Sequence, residues 1–183
     1  MRRFIRGLIF GIILGIGIAG GIFWFLRSGE EVVGGQLFGR EEGVSRGAAE
    51  NVLLYIHPRY KFSFEFPKEL GVARYPEGNA SETVVFQKPG EKLGFQIFIT
   101  PYIGETITEE RLRADVKGGT IEKPTEVIIG NNQRALVFFS NDPVAGRLRE
   151  VWFIHDGFIY EVTAYAELDT WLADILKTWR FQE

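Results

Sequence analysis

The chain has 183 residues, a formal net charge of −3 and no cysteine. The lack of cysteine excludes disulfide bonds, thiolate nucleophiles and cysteine-based metal sites. The four arginines of the first 27 residues contribute +4, so residues 28–183 carry −7, and this acidic balance argues against a nucleic-acid partner.

The N-terminal segment has the pattern of a membrane anchor. Three arginines lie within residues 1–6, and twenty uncharged residues follow before Arg27. A run of about 20 apolar residues predicts a transmembrane helix, here over residues 7–27, and the basic flank predicts a cytoplasmic N-terminus. Trp24 suits the outer membrane interface. We favour an uncleaved anchor over a secretory signal peptide, because cleavage after Ala19 would leave an apolar tail.

Glycines recur along one face of the predicted anchor. Gly7, Gly11 and Gly15 follow one another at intervals of four residues, a spacing that lets a second helix approach closely. The pattern would allow helix dimerisation through this face. The simpler interpretation is that these glycines reflect only the ordinary composition of membrane spans, in which such spacings are frequent by chance.

A linker separates the predicted anchor from a single domain. Residues 28–51 are rich in glycine and glutamate and lack a periodic apolar pattern, so we expect a flexible tether. Residues 52–183 then form one extracytoplasmic domain, which is long enough to build its own core.

Strands dominate the predicted domain. Phe62, Phe64 and Phe66 alternate with polar residues, which is typical of a half-buried strand. Asp156-Gly157, between two apolar runs, predicts a hairpin. The predicted strands cover residues 52–56, 60–66, 83–88, 93–100, 126–129, 133–140, 148–155 and 158–166.

Two helices complete the predicted domain. Thr106 and Glu109 have the spacing of a capping box, and Asp169 is the expected N-cap of a closing helix. The closing helix carries an apolar stripe, formed by Leu172, Ile175, Leu176 and Trp179. The order of elements predicts an α+β fold, a central, mostly antiparallel sheet covered by helices in an α/β/α sandwich and preceded by one transmembrane helix.

The domain resembles the PsbP/Mog1 family over about residues 54–182. The resemblance rests on the strand Tyr60–Pro67, the turn at Gly130, the Asp156-Gly157 hairpin and the closing segment Trp179-Arg-Phe181. The resemblance implies an α/β/α sandwich and a non-catalytic accessory or binding role. It also implies that the chain is a bacterial, membrane-anchored relative of the family. No functional residue of the family can be matched here by position.

Candidate catalytic groups are few. The chain has two histidines, His57 and His155, and neither lies in a known metal or nucleophile motif. A joint metal site of both with Asp156 is an alternative that would support an envelope enzyme. No cofactor is expected from the sequence.

Arginines near the C-terminal hairpin form the one basic pattern of the domain. Arg147 and Arg149 lie two apart on one strand, and with Arg134 they predict a cationic strip for an acidic partner. A solvated strand face is the simpler interpretation. We therefore expect a membrane-anchored, non-catalytic module that binds a protein partner or a second copy. An envelope enzyme and a small-ligand sensor are the alternatives.

Overall fold

The computed structural model describes residues 43–47, 50–116 and 120–182. The predicted anchor, with Gly7, Gly11, Gly15 and Trp24, lies outside these residues. In the part of the chain that the structure describes, no helix has both the length and the apolar composition needed to cross a membrane.

The described residues form eleven strands in two antiparallel sheets. The small sheet has the order β1-β2-β3-β11, and the large sheet has the order β4-β5-β6-β10-β9-β8-β7. The strands are β1 Val44–Arg46, β2 Val52–Ile56, β3 Phe62–Pro67, β4 Gly71–Gly78, β5 Ser81–Gln87, β6 Gly94–Pro101, β7 Ile121–Ile129, β8 Gln133–Asp142, β9 Gly146–His155, β10 Phe158–Tyr165 and β11 Arg180–Phe181.

Two short α-helices accompany the sheets in the described chain. Helix α1 covers Glu109–Asp115, and helix α2 covers Asp169–Leu176 directly after the 3-10 turn Ala166–Leu168. The predicted caps are wrong by a few residues. Thr108, not Thr106, caps α1 by accepting a hydrogen bond from the Arg111 N–H, and Asp169 is the first residue of α2 rather than its cap.

The main core lies between the two sheets and is largely aromatic. The Phe62 and Phe64 rings of β3 stack on the indole of Trp179, with centroids 4.4 and 5.2 Å away. Phe64 also contacts Phe86 of β5, and Leu172 of α2 is buried in the same cluster. Parallel and edge-on aromatic contacts of this kind add to the free energy gained by burial.

The predicted α/β/α sandwich is wrong. The aromatic face of β3 packs against another sheet rather than against a layer of helices, because β1, β2, β3 and β11 assemble into a second sheet of their own. The helices α1 and α2 have only 7 and 8 residues, so neither forms a layer. Helix α1 covers a local part of the large sheet, and α2 packs against both β3 and β10. The protein is mostly antiparallel β-structure.

The local predictions of strands are largely confirmed. The aromatic strand β3 and the hairpin of β9 and β10 form where expected, with His155 paired to Phe158 across the Asp156-Gly157 turn. Strands β1 and β4 and the two-residue strand β11 were not predicted, and β1 lies within residues 28–51, the predicted linker.

Candidate functional site

The candidate site is an open groove at one end of the large sheet. It has a volume of about 430 Å³ and is formed by β7, β8 and β9. We call it the arginine groove; its lining residues are Glu122, Lys123, Thr125, Val127, Val137, Phe139, Arg147 and Arg149.

Two guanidinium groups lie over the same aromatic ring in this groove. The guanidinium carbons of Arg147 and Arg149 lie 4.1 and 4.6 Å from the ring centroid of Phe139. The strand register explains the arrangement, since Phe139 of β8 is paired directly with Arg149 of β9. Arg147 lies two residues earlier on β9 and therefore on the same face. The ring attracts both cations and restricts where their N–H groups can point.

Each arginine already has one carboxylate neighbour. An Arg147 N–H donates to Glu122 at 2.8 Å, and both side chains are well exposed. The Nε atom of Arg149 lies 2.7 Å from Asp169, the first residue of α2. Burial lowers the pKa of Arg149, and Asp169 opposes this shift. A guanidinium has five N–H donors, so both groups keep donors for a second acceptor.

The structure brings together two of the three arginines of the predicted cationic strip. Arg147 and Arg149 share the groove, whereas Arg134 is paired with Ile128 and lies on the other face of β8 from Val137 and Phe139. Phe139 and Glu122 could not be predicted from the sequence as parts of the site. They lie beside the arginines because β7 pairs with β8 and β8 pairs with β9. The register of such a pairing cannot be read from the spacing of residues within one strand.

The first predicted histidine lies in a buried polar cluster. The Nδ1 atom of His57 accepts the backbone N–H groups of Arg59 and Tyr60, both at 3.2 Å. Its Nε2 atom lies 3.4 Å from Glu82, which also accepts a hydrogen bond from Arg74 at 2.6 Å. Burial lowers the pKa of His57 to about 4, although Glu82 raises it. These contacts indicate a neutral imidazole with its proton on Nε2.

The second histidine has a different setting. The His155 ring stacks on Phe181 with the centroids 3.4 Å apart, and its Nε2 atom lies 3.5 Å from Asp156. His57 instead contacts Phe62 and Glu82. Within the described ranges, no group of three histidine, aspartate or glutamate side chains is arranged to hold a metal ion.

Two buried glutamates lie on the face of the large sheet that α1 covers. Glu150 accepts hydrogen bonds from Ser140 and Thr163, both at 2.8 Å. Glu161 is paired with Arg111 of α1 at 3.2 Å, while its Oε2 atom has no hydrogen-bond partner. Burial, followed by the charge of Asp115, raises the pKa of Glu161 to about 8, and Arg111 opposes the shift. Burial also raises the pKa of Glu150. This pair could not be predicted from the sequence. The alternation of residues along β9 and β10 shows that each strand has two faces, but it does not show that α1 covers the face with Glu150 and Glu161.

The comparisons with known proteins assign the fold. The structure is similar to the solution structure of cyanobacterial PsbP (CyanoP) from Synechocystis sp. PCC 6803, with a TM-score of 0.51 and 13% sequence identity. The match covers 74% of this chain and 96% of that chain. The domain therefore has a PsbP-like fold. No protein-family model matches the chain, and no curated protein matches it.

Proposed function

We propose that this chain is a PsbP-related, non-catalytic binding module, held on the outer side of a bacterial cell membrane, that grips an acidic segment of a partner protein. The observation that carries the proposal is the pair Arg147 and Arg149, both over the ring of Phe139, in an open groove. A carboxylate of the partner would receive two N–H donors from a planar guanidinium.

The apolar residues at the floor of the groove favour a protein partner rather than a small inorganic anion as the ligand. Val127 and Val137 line the groove beside Phe139, so an apolar side chain of the partner would lose water contact next to the charged group. An apolar centre with polar groups at its rim is typical of protein–protein interfaces.

Charge distribution also supports an acidic partner. Residues 28–183 carry −7 overall, because Arg2, Arg3, Arg6 and Arg27 account for +4 of a total of −3. Three cations, Lys123 and the two arginines, nevertheless lie at this one groove against two carboxylates, Glu122 and Asp169, so the groove keeps an excess of positive charge. This local excess attracts carboxylates, whereas the domain as a whole carries a net negative charge.

Site-specific photo-crosslinking of the full-length protein in its native membrane tests the proposal. A photoreactive residue at Val127 reports on the groove, and one at Ile103, which is fully exposed and does not line the groove, serves as the control position. We expect a protein adduct from Val127 that is absent from Ile103 and is lost in the Arg147→Gln/Arg149→Gln variant. Adducts that are the same from both positions, or that survive the double substitution, contradict the proposal.

A further inference from the structure

Glu122 lies where a ligand carboxylate would bind. Its Oε2 atom accepts a hydrogen bond from an Arg147 N–H at 2.8 Å, and Oε1 lies 3.4 Å from the Asn141 side-chain nitrogen. Glu122 is 38% exposed and Arg147 is 50% exposed. Their ion pair is therefore open to water and to competing anions.

The backbone around Glu122 brings its side chain into the groove. Strand β7 pairs with β8 in one register at Glu122 and in a shifted register from Thr125 onward. Lys123, within this irregularity, has a positive φ of 47°. An irregularity of this kind re-aims side chains, so Glu122 and Thr125 both line the groove although they are three residues apart.

The other carboxylate of the groove is held more firmly. Asp169 is 40% exposed, much like Glu122, but its partner Arg149 is only 20% exposed whereas Arg147 is 50% exposed. Asp169 is also the first residue of α2, where the helix dipole favours a negative charge. Glu122, on the edge strand β7, has no helix dipole beside it in the described chain, and its only second contact there is the long one of 3.4 Å with Asn141. A ligand would therefore displace Glu122 from Arg147 and leave the pair of Asp169 and Arg149 intact.

We propose that Glu122 is an internal competitor. Its carboxylate occupies the anion position beside the Arg147 guanidinium until a carboxylate of an acidic, partly apolar peptide segment replaces it. This inference rests on the proposed function and adds a residue that sets the affinity and selectivity of the groove. A ligand must supply a carboxylate at least as well placed as that of Glu122. Neutral segments then fail to bind because they leave the internal pair in place.

The test is a binding titration with a short labelled peptide of alternating glutamate and leucine on the full-length protein in detergent. Glu122→Gln removes the competitor. Glu126→Gln is the matched control, because Glu126 lies on the same strand, is exposed and does not line the groove. Both variants change the net charge equally. We expect Glu122→Gln to bind the peptide about two- to fivefold more tightly than Glu126→Gln, as the loss of an exposed ion pair allows.

Two further variants distinguish a failure of the competitor inference from a failure of the proposed function. Arg147→Gln removes the shared partner and should abolish the gain when it is combined with Glu122→Gln. Glu122→Asp has a shorter side chain and should give an intermediate gain with the charge unchanged. If the peptide binds the wild type, binding is lost with Arg147→Gln, and Glu122→Gln equals Glu126→Gln, the competitor inference is wrong while the proposed function stands. If the peptide binds neither the wild type nor Glu122→Gln, both are wrong.

Discussion

Gly130, in the turn between β7 and β8, lies directly against the backbone carbonyl of Trp179. Its N–H donates to the Leu176 carbonyl at 3.0 Å, and the Asn131 N–H donates to the Trp179 carbonyl at 3.2 Å. A Cβ atom built on Gly130 would lie 1.9 Å from that oxygen. The turn of the large sheet is therefore fastened to the segment between α2 and β11 at a point that only glycine can occupy.

This junction predicts a large effect of Gly130→Ala on stability. The substitution would force backbone movement and would also place alanine at a positive φ of 50°. We expect the free energy of unfolding to fall by about 3–5 kcal/mol, measured by urea denaturation.

Gly157→Ala provides the matched control for that prediction. Gly157 also has a positive φ, of 75°, but an added Cβ meets nothing within 4 Å. Gly157→Ala should lower the free energy of unfolding by about 1–2 kcal/mol, because only the backbone conformation is unfavourable there. Equal costs at the two glycines would show that the contact with Trp179 contributes nothing.

Glu161 predicts a loss of stability as the pH rises. Its pKa is about 8 in the folded protein against an ordinary value of 4.5. Between these values the unfolded carboxyl is ionised while the folded one stays neutral, so the free energy of unfolding falls as the pH rises from 4.5 to 8. Glu161→Gln stays neutral in both states. We expect it to flatten this slope and to be about 1–3 kcal/mol more stable than the wild type at pH 8.

Urea denaturation of the wild type and Glu161→Gln across this pH window tests the expectation. Glu167→Gln, at an exposed position, removes the same charge and should leave the slope as it is. If Glu161→Gln and the wild type keep parallel slopes, Glu161 is ionised in the folded protein.

His57 predicts the opposite slope at acid pH. Its pKa of about 4 lies below the ordinary value of 6.5, so the unfolded imidazole binds a proton first as the pH falls. The stability that neutral His57 contributes is complete above pH 6.5 and is lost as the pH falls toward 4. His57→Asn keeps an acceptor for the N–H groups of Arg59 and Tyr60 but cannot titrate.

Urea denaturation at a series of pH values between 4 and 6.5 measures this effect. We expect His57→Asn to be about 1–3 kcal/mol less stable than the wild type at neutral pH, because a smaller side chain leaves a cavity. The deficit should shrink as the pH falls. A deficit that is constant with pH would mean that His57 is already protonated in the fold. The Glu161 window overlaps this one, so each variant is compared with the wild type at the same pH.

The aromatic ring of the arginine groove predicts an effect on binding without any change of charge. Phe139→Leu keeps an apolar side chain of similar reach but removes the π face that Arg147 and Arg149 contact. We expect the glutamate–leucine peptide to bind about two- to fivefold more weakly, measured by the same titration. Tyr75→Leu removes an exposed aromatic ring on β4, at the other edge of the large sheet, and should leave affinity unchanged. An unchanged affinity for Phe139→Leu would assign binding to the charges alone.

The sequence predicts those elements whose signals are local. The alternation of Phe62, Phe64 and Phe66 and the Asp156-Gly157 turn each lie within a few residues, and both predictions are confirmed. Strand β4 was missed because it is an edge strand with an exposed end and a proline, Pro76. Strand β11 has two residues and forms only because β3 provides a partner.

The wrong fold class has a physical origin of the same kind. An aromatic strand face needs a cover, and the sequence does not state whether helices or a second sheet provide it. Trp179 belonged to a predicted helical stripe, yet α2 ends at Leu176 and the indole stacks on β3 instead. The residues of the candidate site also fall into those that the sequence can predict and those that it cannot. Arg147 and Arg149 could be predicted from their spacing, whereas Phe139 and Glu122 join them only through the registers of β8 and β7.

The order of the strands has a mechanical consequence. The small sheet starts with β1 and β2 on the side of β5, where Tyr55 contacts Phe86, and ends with β11 beside β9, where Phe181 contacts Phe153. The groove lies at the β7 end of the large sheet, so β1, the first described strand, and the groove lie at opposite edges of the described domain. A force applied between β1 and a ligand in the groove would therefore act across the strands rather than along them. The fastening at Gly130 and Trp179 would carry part of that load.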